Sequence, residues 1–194
     1  MSSQPDLFGT RAFERSATFA TPDIRLALTR RWAVGPIACV IGHNPSDASA
    51  DIDDPTSRWW ARWFKTNGYA GYTAVNPYPF CSADPAACRA ITARAIAGEE
   101  PYRTALFETN PETIVEIIAR SLAVFVCWGG IARDPAFIER LLTDIEARIG
   151  KPLHLQCWGT TQSGAPIHPL ARGKSRIDPN APAAPWHRNP TTRN

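Results

Sequence analysis

Apolar positions along the chain gather in four short, mainly apolar runs, at residues 37–41, 72–75, 122–127 and 153–157. Each is too short for a helix and ends in Gly, Asn or Trp-Gly, which predicts strands buried on both faces. Longer amphipathic stretches separate them. Asp54-Pro55, Asp84-Pro85 and Asp134-Pro135 each place a capping acid before a proline, and Pro111 opens another stretch. These predict helices from Pro55 to before Gly68, from Pro85 to about Ala97, from Pro111 to about Arg120, and from Pro135 to before Gly150. A further helix is predicted over residues 22–31, with Thr21 as its cap and Ile24, Leu26 and Leu28 as apolar positions. Strands alternating with helices argue for parallel βαβ units: an α/β fold of three layers, α/β/α, around a central four-stranded parallel sheet. Residues 1–20 read as a loose lead-in, 21–170 as a single domain, and 171–194 as a basic, irregular C-terminal segment.

Composition narrows the class. The chain has 194 residues, 44% of them hydrophobic, with seven Trp and eight Phe, so it can bury a core and is not disordered in bulk. No apolar run of about 18 residues exists, and the first 20 residues lack an apolar signal core; a cytoplasmic protein without membrane contact is the expectation. Five cysteines without a CxxC pair read as reduced thiols, three of them (Cys39, Cys127, Cys157) inside apolar runs. The net charge is +3, but residues 171–194 alone carry +4. That segment can follow a phosphate backbone or be a solvated tail.

The candidate chemistry lies just past the strands. The clusters are Gly42-His43-Asn44-Pro45-Ser46, Asn76-Pro77-Tyr78-Pro79-Phe80, Trp128-Gly129-Gly130, and Thr160-Thr161 leading to His168-Pro169-Leu170. In open α/β sheets, ligands bind beyond the carboxyl ends of the strands. Asn44 cannot be a strong base, but its carbonyl oxygen can hold a water. His168 can donate to an oxygen on which negative charge develops. Asn76 offers a donor and an acceptor to an amide-like base edge. Trp59, Trp60, Tyr78, Phe80 or Trp128 can stack on a ring. The set suits N-glycosidic cleavage, whose oxocarbenium-like transition state needs little activation of the water.

Plainer readings cover the same residues. Asn-Pro pairs are turn formers, and Trp59, Trp60, Trp63 and Phe64 have the helical spacing of core residues. His43, His154 and His187 read as structural or exposed. Asp53, Asp54, Thr56 and Arg58 can be a helix start with an ion pair. There is no Walker sequence, no GxGxxG and no GxSxG. Cys157 with His168 is a weak nucleophile–base pair beside the reading of a core thiol. The four histidines lack metal-ligand spacing, so no metal and no cofactor is expected.

The ordered motifs Asn44-Pro45-Ser46, Asp53-Asp54-Pro55-Thr56, Gly68-Tyr69, Asn76 with Pro79, Trp128-Gly129 and Gly164-x-Pro166-x-His168-Pro169-Leu170 resemble a widespread bacterial and phage family of uncharacterised domains, over roughly residues 25–172. More remotely, Gly42-His43-Asn44-Pro45-Ser46, Asn76, Val126-Cys127-Trp128-Gly129 and His168-Pro169-Leu170 resemble the motifs of the uracil-DNA glycosylase superfamily. That resemblance implies a four-stranded parallel sheet with helices on both faces. It implies that Asn44 positions the water, Asn76 reads the extruded base and His168 stabilises the leaving base. Gly42, His43, Ser46, Tyr78, Phe80 and Trp128 would line the base pocket, and Arg172 and Lys174 would press on the DNA backbone as the nucleotide flips. The expected function is a monomeric, metal-independent DNA glycosylase for a uracil-like, damaged or hypermodified base, in repair or phage defence. The alternatives are a nucleotide or nucleic-acid binding module without hydrolysis, since Asn44 replaces an Asp, and a hydrolase of free nucleotides.

Overall fold

A computed structural model describes residues 13–131 and 134–188. Its elements in chain order are β1 (Glu14–Thr21), β2 (Ile24–Arg31), β3 (Ile37–Ile41), α1 (Pro55–Thr66), β4 (Gly71–Val75), α2 (Pro85–Ile96), α3 (Tyr102–Thr104), α4 (Asn110–Ala119), β5 (Ala123–Val126), α5 (Pro135–Ile149), β6 (Leu155–Cys157) and β7 (Ala184–Pro185). A π-helical turn, Ala105–Thr109, joins α3 to α4.

The strands form one mixed seven-stranded sheet in the order β1-β2-β4-β3-β5-β6-β7. This corrects the expected four-stranded sheet. The run β4-β3-β5-β6 is joined by parallel pairings, and antiparallel strands extend it at both edges. At one edge the widening comes from the residues read as lead-in and first helix, and at the other from residues 184–185 of the segment read as irregular. Residues 14–21 are β1 and residues 24–31 are β2, joined across Pro22-Asp23, where the Thr21 hydroxyl donates to Asp23. Ile24, Leu26 and Leu28 recur every second residue, the period of a strand. The lead-in before residue 13 lies outside the described residues.

From β3 the chain passes through α1 to β4 on one side. It then returns through α2, α3 and α4 to β5 on the other side, and continues through α5 to β6. Strand residues alternate between two core clusters. Ala38, Val40, Phe125 and Cys127 face the cluster that holds Trp60, Trp63 and Phe64 of α1. Cys39, Ile41, Val124 and Val126 face the cluster that holds Ile114, Ile138, Leu142 and Ile145 of α4 and α5. Helices on opposite faces for opposite directions of travel are what a single crossover handedness requires. The reversal of direction lies between β3 and β5, and this fixes where a crevice can open.

The segment after Leu170 has little regular structure but is not detached. Ile177 and Trp186 are buried, the Trp63 indole donates to the Ala181 carbonyl at 3.0 Å, and β7 pairs with β6. Four of the five cysteines are buried and all are free. Among the described residues no helix is long and apolar enough to cross a membrane.

Candidate functional site

Local chemistry sets the loops at the carboxyl ends of the parallel strands. Asp54 caps α1 by accepting from the Ser57 amide at 2.6 Å, and its other carboxylate oxygen accepts from the Ser46 hydroxyl. The loop between β3 and α1 is held from behind by β2. The Arg30 guanidinium, 3% exposed, donates to Asp53 at 2.8 Å and to the carbonyls of Ser49 and Ile52. Arg25, equally buried, donates to the Ala48 carbonyl, and Arg15 adds a second bond to Asp53 at 2.9 Å. Burial works to raise the Asp53 carboxyl, but the bonds from Arg15 and Arg30 outweigh it and hold the group below its ordinary value. Sequence reasoning missed Arg25 and Arg30 because it placed them on a helix.

The loops after β3 and β4 are laced together. Gly42 N–H donates to Val75 at 2.9 Å, Ser82 N–H to Pro45 at 2.9 Å, and Tyr78 N–H to His43 at 3.3 Å. Asn44 is the staple of this junction. Its Nδ2 donates to the carbonyls of Pro45 at 2.9 Å and Ser82 at 2.7 Å, with a longer contact to Phe80 at 3.4 Å. Its Oδ1 therefore faces His43 Nδ1, at 2.8 Å. An oxygen there requires the proton of His43 on Nδ1, which leaves Nε2 with a lone pair. The amide expected to hold a water is thus turned into its own loop.

Asn76 behaves differently. It is 4% exposed, and its side-chain amide takes no part in the hydrogen bonds that lace the loops but keeps its polar atoms in touch with the surface. Its Oδ1 lies so close over Gly42 that a Cβ at that position would meet it at 2.6 Å. The main chain at Asn76 is held by Asn110, fully buried at the end of the π turn, whose Nδ2 donates to the Asn76 carbonyl at 2.9 Å. Asn110 gave no sequence signal beyond standing before Pro111.

His168 reaches the same crevice by a third route. Gly129 N–H donates to Pro166 and Ile167 N–H donates to Gly159, both at 2.9 Å, which ties the loop to the ends of β5 and β6. Gly129, at φ +74, leaves room that a Cβ would take from His168 at 3.2 Å. Leu170 N–H donates to His168 Nδ1 at 3.2 Å, so the ring proton sits on Nε2. Burial lowers the proton affinity of His168; Asp54 opposes this and His43 adds to it. The affinity of His43 is likewise lowered by burial, against its bond to Asn44, with a smaller contribution from Arg89. Both rings are therefore neutral near pH 7.

The remaining expected residues divide. His43 and Asp54 lie within electrostatic reach of His168, Ser46 bonds Asp54, Asn76 Oδ1 lies over Gly42, and Tyr78 tilts against the His43 ring at 5.1 Å. Phe80 is a correction: it is fully buried, bridged to Ile24 and edge-on to Tyr102, so it is core and not lining. Trp128 is also buried, edge-on to Trp186. Trp60, Trp63 and Phe64 belong to the core beneath α1. Arg172 and Lys174 are exposed on the loop that follows His168. Among the described residues no group of three or more His, Cys, Asp or Glu is placed to hold a metal ion. Asp54, for which the sequence left a helix start and a part in shaping the pocket both open, is a carboxylate within electrostatic reach of His168.

No curated protein and no solved structure matches the chain. A family model described as "Protein of unknown function" matches residues 25–170, a span from the start of β2 to the end of the His168 loop that takes in every crevice residue named above. On that match the chain belongs to the DUF1643 family.

Proposed function

We propose that the protein hydrolyses the N-glycosidic bond of a non-standard base in DNA. The observation that carries this reading is a pair of neutral imidazoles of opposite tautomer within electrostatic reach of each other, with the Asn76 amide lying over Gly42, the residue next to His43. Asn76 reads the base edge with its donor and acceptor. His168 donates its Nε2–H to the base oxygen on which charge builds as the C1′–N bond breaks. His43, through the Nε2 lone pair, orients a water and takes its proton as the oxygen bonds to C1′. The base leaves as an anion and is protonated by solvent. The Asp54 carboxylate favours the positive charge that develops on the sugar. The resemblance of the motif order to that of the uracil-DNA glycosylase superfamily suggests the same assignment of Asn76 and His168. In this reading His43, and not Asn44, holds the water.

The test is incubation of the folded protein with DNA duplexes and single strands carrying different modified pyrimidines, scored by free base in mass spectrometry and by alkali-labile abasic sites. Release from at least one substrate is expected, with about a hundredfold loss in Asn76→Ala and His168→Ala. The rate should be level through neutral pH. It should fall as the medium is acidified below about 6.5, the ordinary histidine value, because protonation removes the His43 lone pair. In His43→Phe, slower throughout, that acid limb should disappear or shift. Folded protein that releases no base overturns the reading. Tight DNA binding without release assigns the crevice to recognition alone.

A further inference from the structure

His43 and Tyr78 also form a wall of a cavity of about 210 Å³ that continues between α2 and α5, with Thr92, Ala93 and Ile96 on one side and Phe137 on the other. We propose that this cavity is a subsite for a neutral, mainly apolar substituent on the base, so that the preferred substrate is a base enlarged by such a group. The inference rests on the glycosylase reading and gives its substrate class.

Three observations carry it. The cavity is smaller than the roughly 300–1,000 Å³ typical of pockets for whole small molecules, so it takes a group and not a nucleotide. It shares His43 and Tyr78 with the crevice, and these residues directly follow Gly42 and stand two positions beyond Asn76. A ligand read by Asn76 can therefore extend into it. Its walls match one kind of group. Tyr78 stacks on Phe137 with ring centroids 5.0 Å apart and tilts against His43 at 5.1 Å, making a continuous aromatic surface. Ile96, 62% exposed, adds aliphatic surface. The charged residues of the lining are one cation and one anion, Arg89 and Asp134, which together favour no charged occupant. An unsubstituted pyrimidine leaves this surface uncovered, whereas a ring or short chain buries it, a difference of the size that an extra apolar group makes in a fitted pocket.

The experiment uses the full chain and oligonucleotides that differ only at C5 of one deoxyuridine: hydrogen, methyl, propynyl or phenyl. Base release and affinity are both measured, in the wild type and in Ala93→Trp, which fills the cavity from the exposed face of α2. About a tenfold gain in kcat/KM from hydrogen to propynyl or phenyl is expected. That gain should be lost in Ala93→Trp, with the hydrogen substrate changed less than about twofold. Ala93→Leu replaces Ala93→Trp if the larger side chain lowers the melting temperature. Equal rates across the series, or a gain that survives the filled cavity, overturns the subsite. If no base is released, the glycosylase reading fails and affinity decides. A substituent preference abolished by Ala93→Trp supports the subsite, and indifference to the substituent overturns it.

Discussion

Asn44 has one amide nitrogen, and the structure commits it to carbonyl oxygens on both loops. That geometry gives a sharp test. Were Asn44 a weak stand-in for a water-activating carboxylate, Asn44→Asp would raise the rate of base release. In the arrangement observed, the new carboxylate turns one oxygen toward the Pro45, Phe80 and Ser82 carbonyls with no hydrogen to give, and that repulsion displaces the other oxygen, which accepts from His43. Leaving such acceptors unmatched costs about 1–3 kcal/mol, or roughly 2–12 °C of melting temperature in a chain of this length. Asn44→Asp is therefore expected to melt earlier and to work more slowly, as thermal denaturation and the release assay will read. That Asn44 matters was legible in the sequence from its place after a buried strand. What its amide bonds to was not, because Ser82 and Phe80 stand 38 and 36 residues away.

Legibility among the elements follows the range of the forces that make them. Helices α1, α2 and α5 start at Asp54, Asp84 and Asp134, each capping its own first turn with a proline just inside. All of that chemistry is local, so it can be read from neighbouring residues. Strand β2 is held by β1 and β4, and its apolar residues at alternate positions were read as a helix because Thr21-Pro22 imitates a capped start. The misreading hid Arg25 and Arg30, and with them the clamp on the loop that carries Asp53 and Asp54. The π turn before α4 gave no local signal either. Turns of this type are often found at functional sites, and this one delivers Asn110 to the Asn76 and Pro77 carbonyls. Asn110→Leu keeps the volume and removes both bonds. A cost of about 1–3 kcal/mol is expected, seen as a lower melting temperature. Base release should fall further than in a control variant of equal stability, because the lost bonds position Asn76. Release equal to that of the control would confine Asn110 to a structural role.

At the scale of the whole molecule, the C-terminal segment has a part in the fold beside the one proposed for it on DNA, and a deletion cannot separate them. Its buried residues belong to the fold. Trp186 packs edge-on against Trp128 and donates its main-chain N–H to Leu155 at 2.8 Å. Ile177 sits in the core beside α1, and Arg188 pairs with Glu146 of α5 at 3.1 Å. Removing a buried Trp alone costs about 3–5 kcal/mol, so a chain ended at Leu170 is expected to lose most of its stability. Its loss of activity would then say nothing about DNA. Charge reversal isolates the second role. Arg172 and Lys174 are exposed and form no ion pair among the described residues, so R172E/K174E should leave the melting temperature within about 2 °C, since surface changes of this kind stay near 0.5 kcal/mol. If both cations lie on phosphates, affinity for DNA falls in every sequence context. The slope of log K against log salt should then flatten by about two, since each lost phosphate contact removes roughly 0.9. Release from a free nucleoside, measured beside it, should stay unchanged. A salt slope equal to that of the wild type would remove these two residues from the DNA path and favour a substrate smaller than a strand.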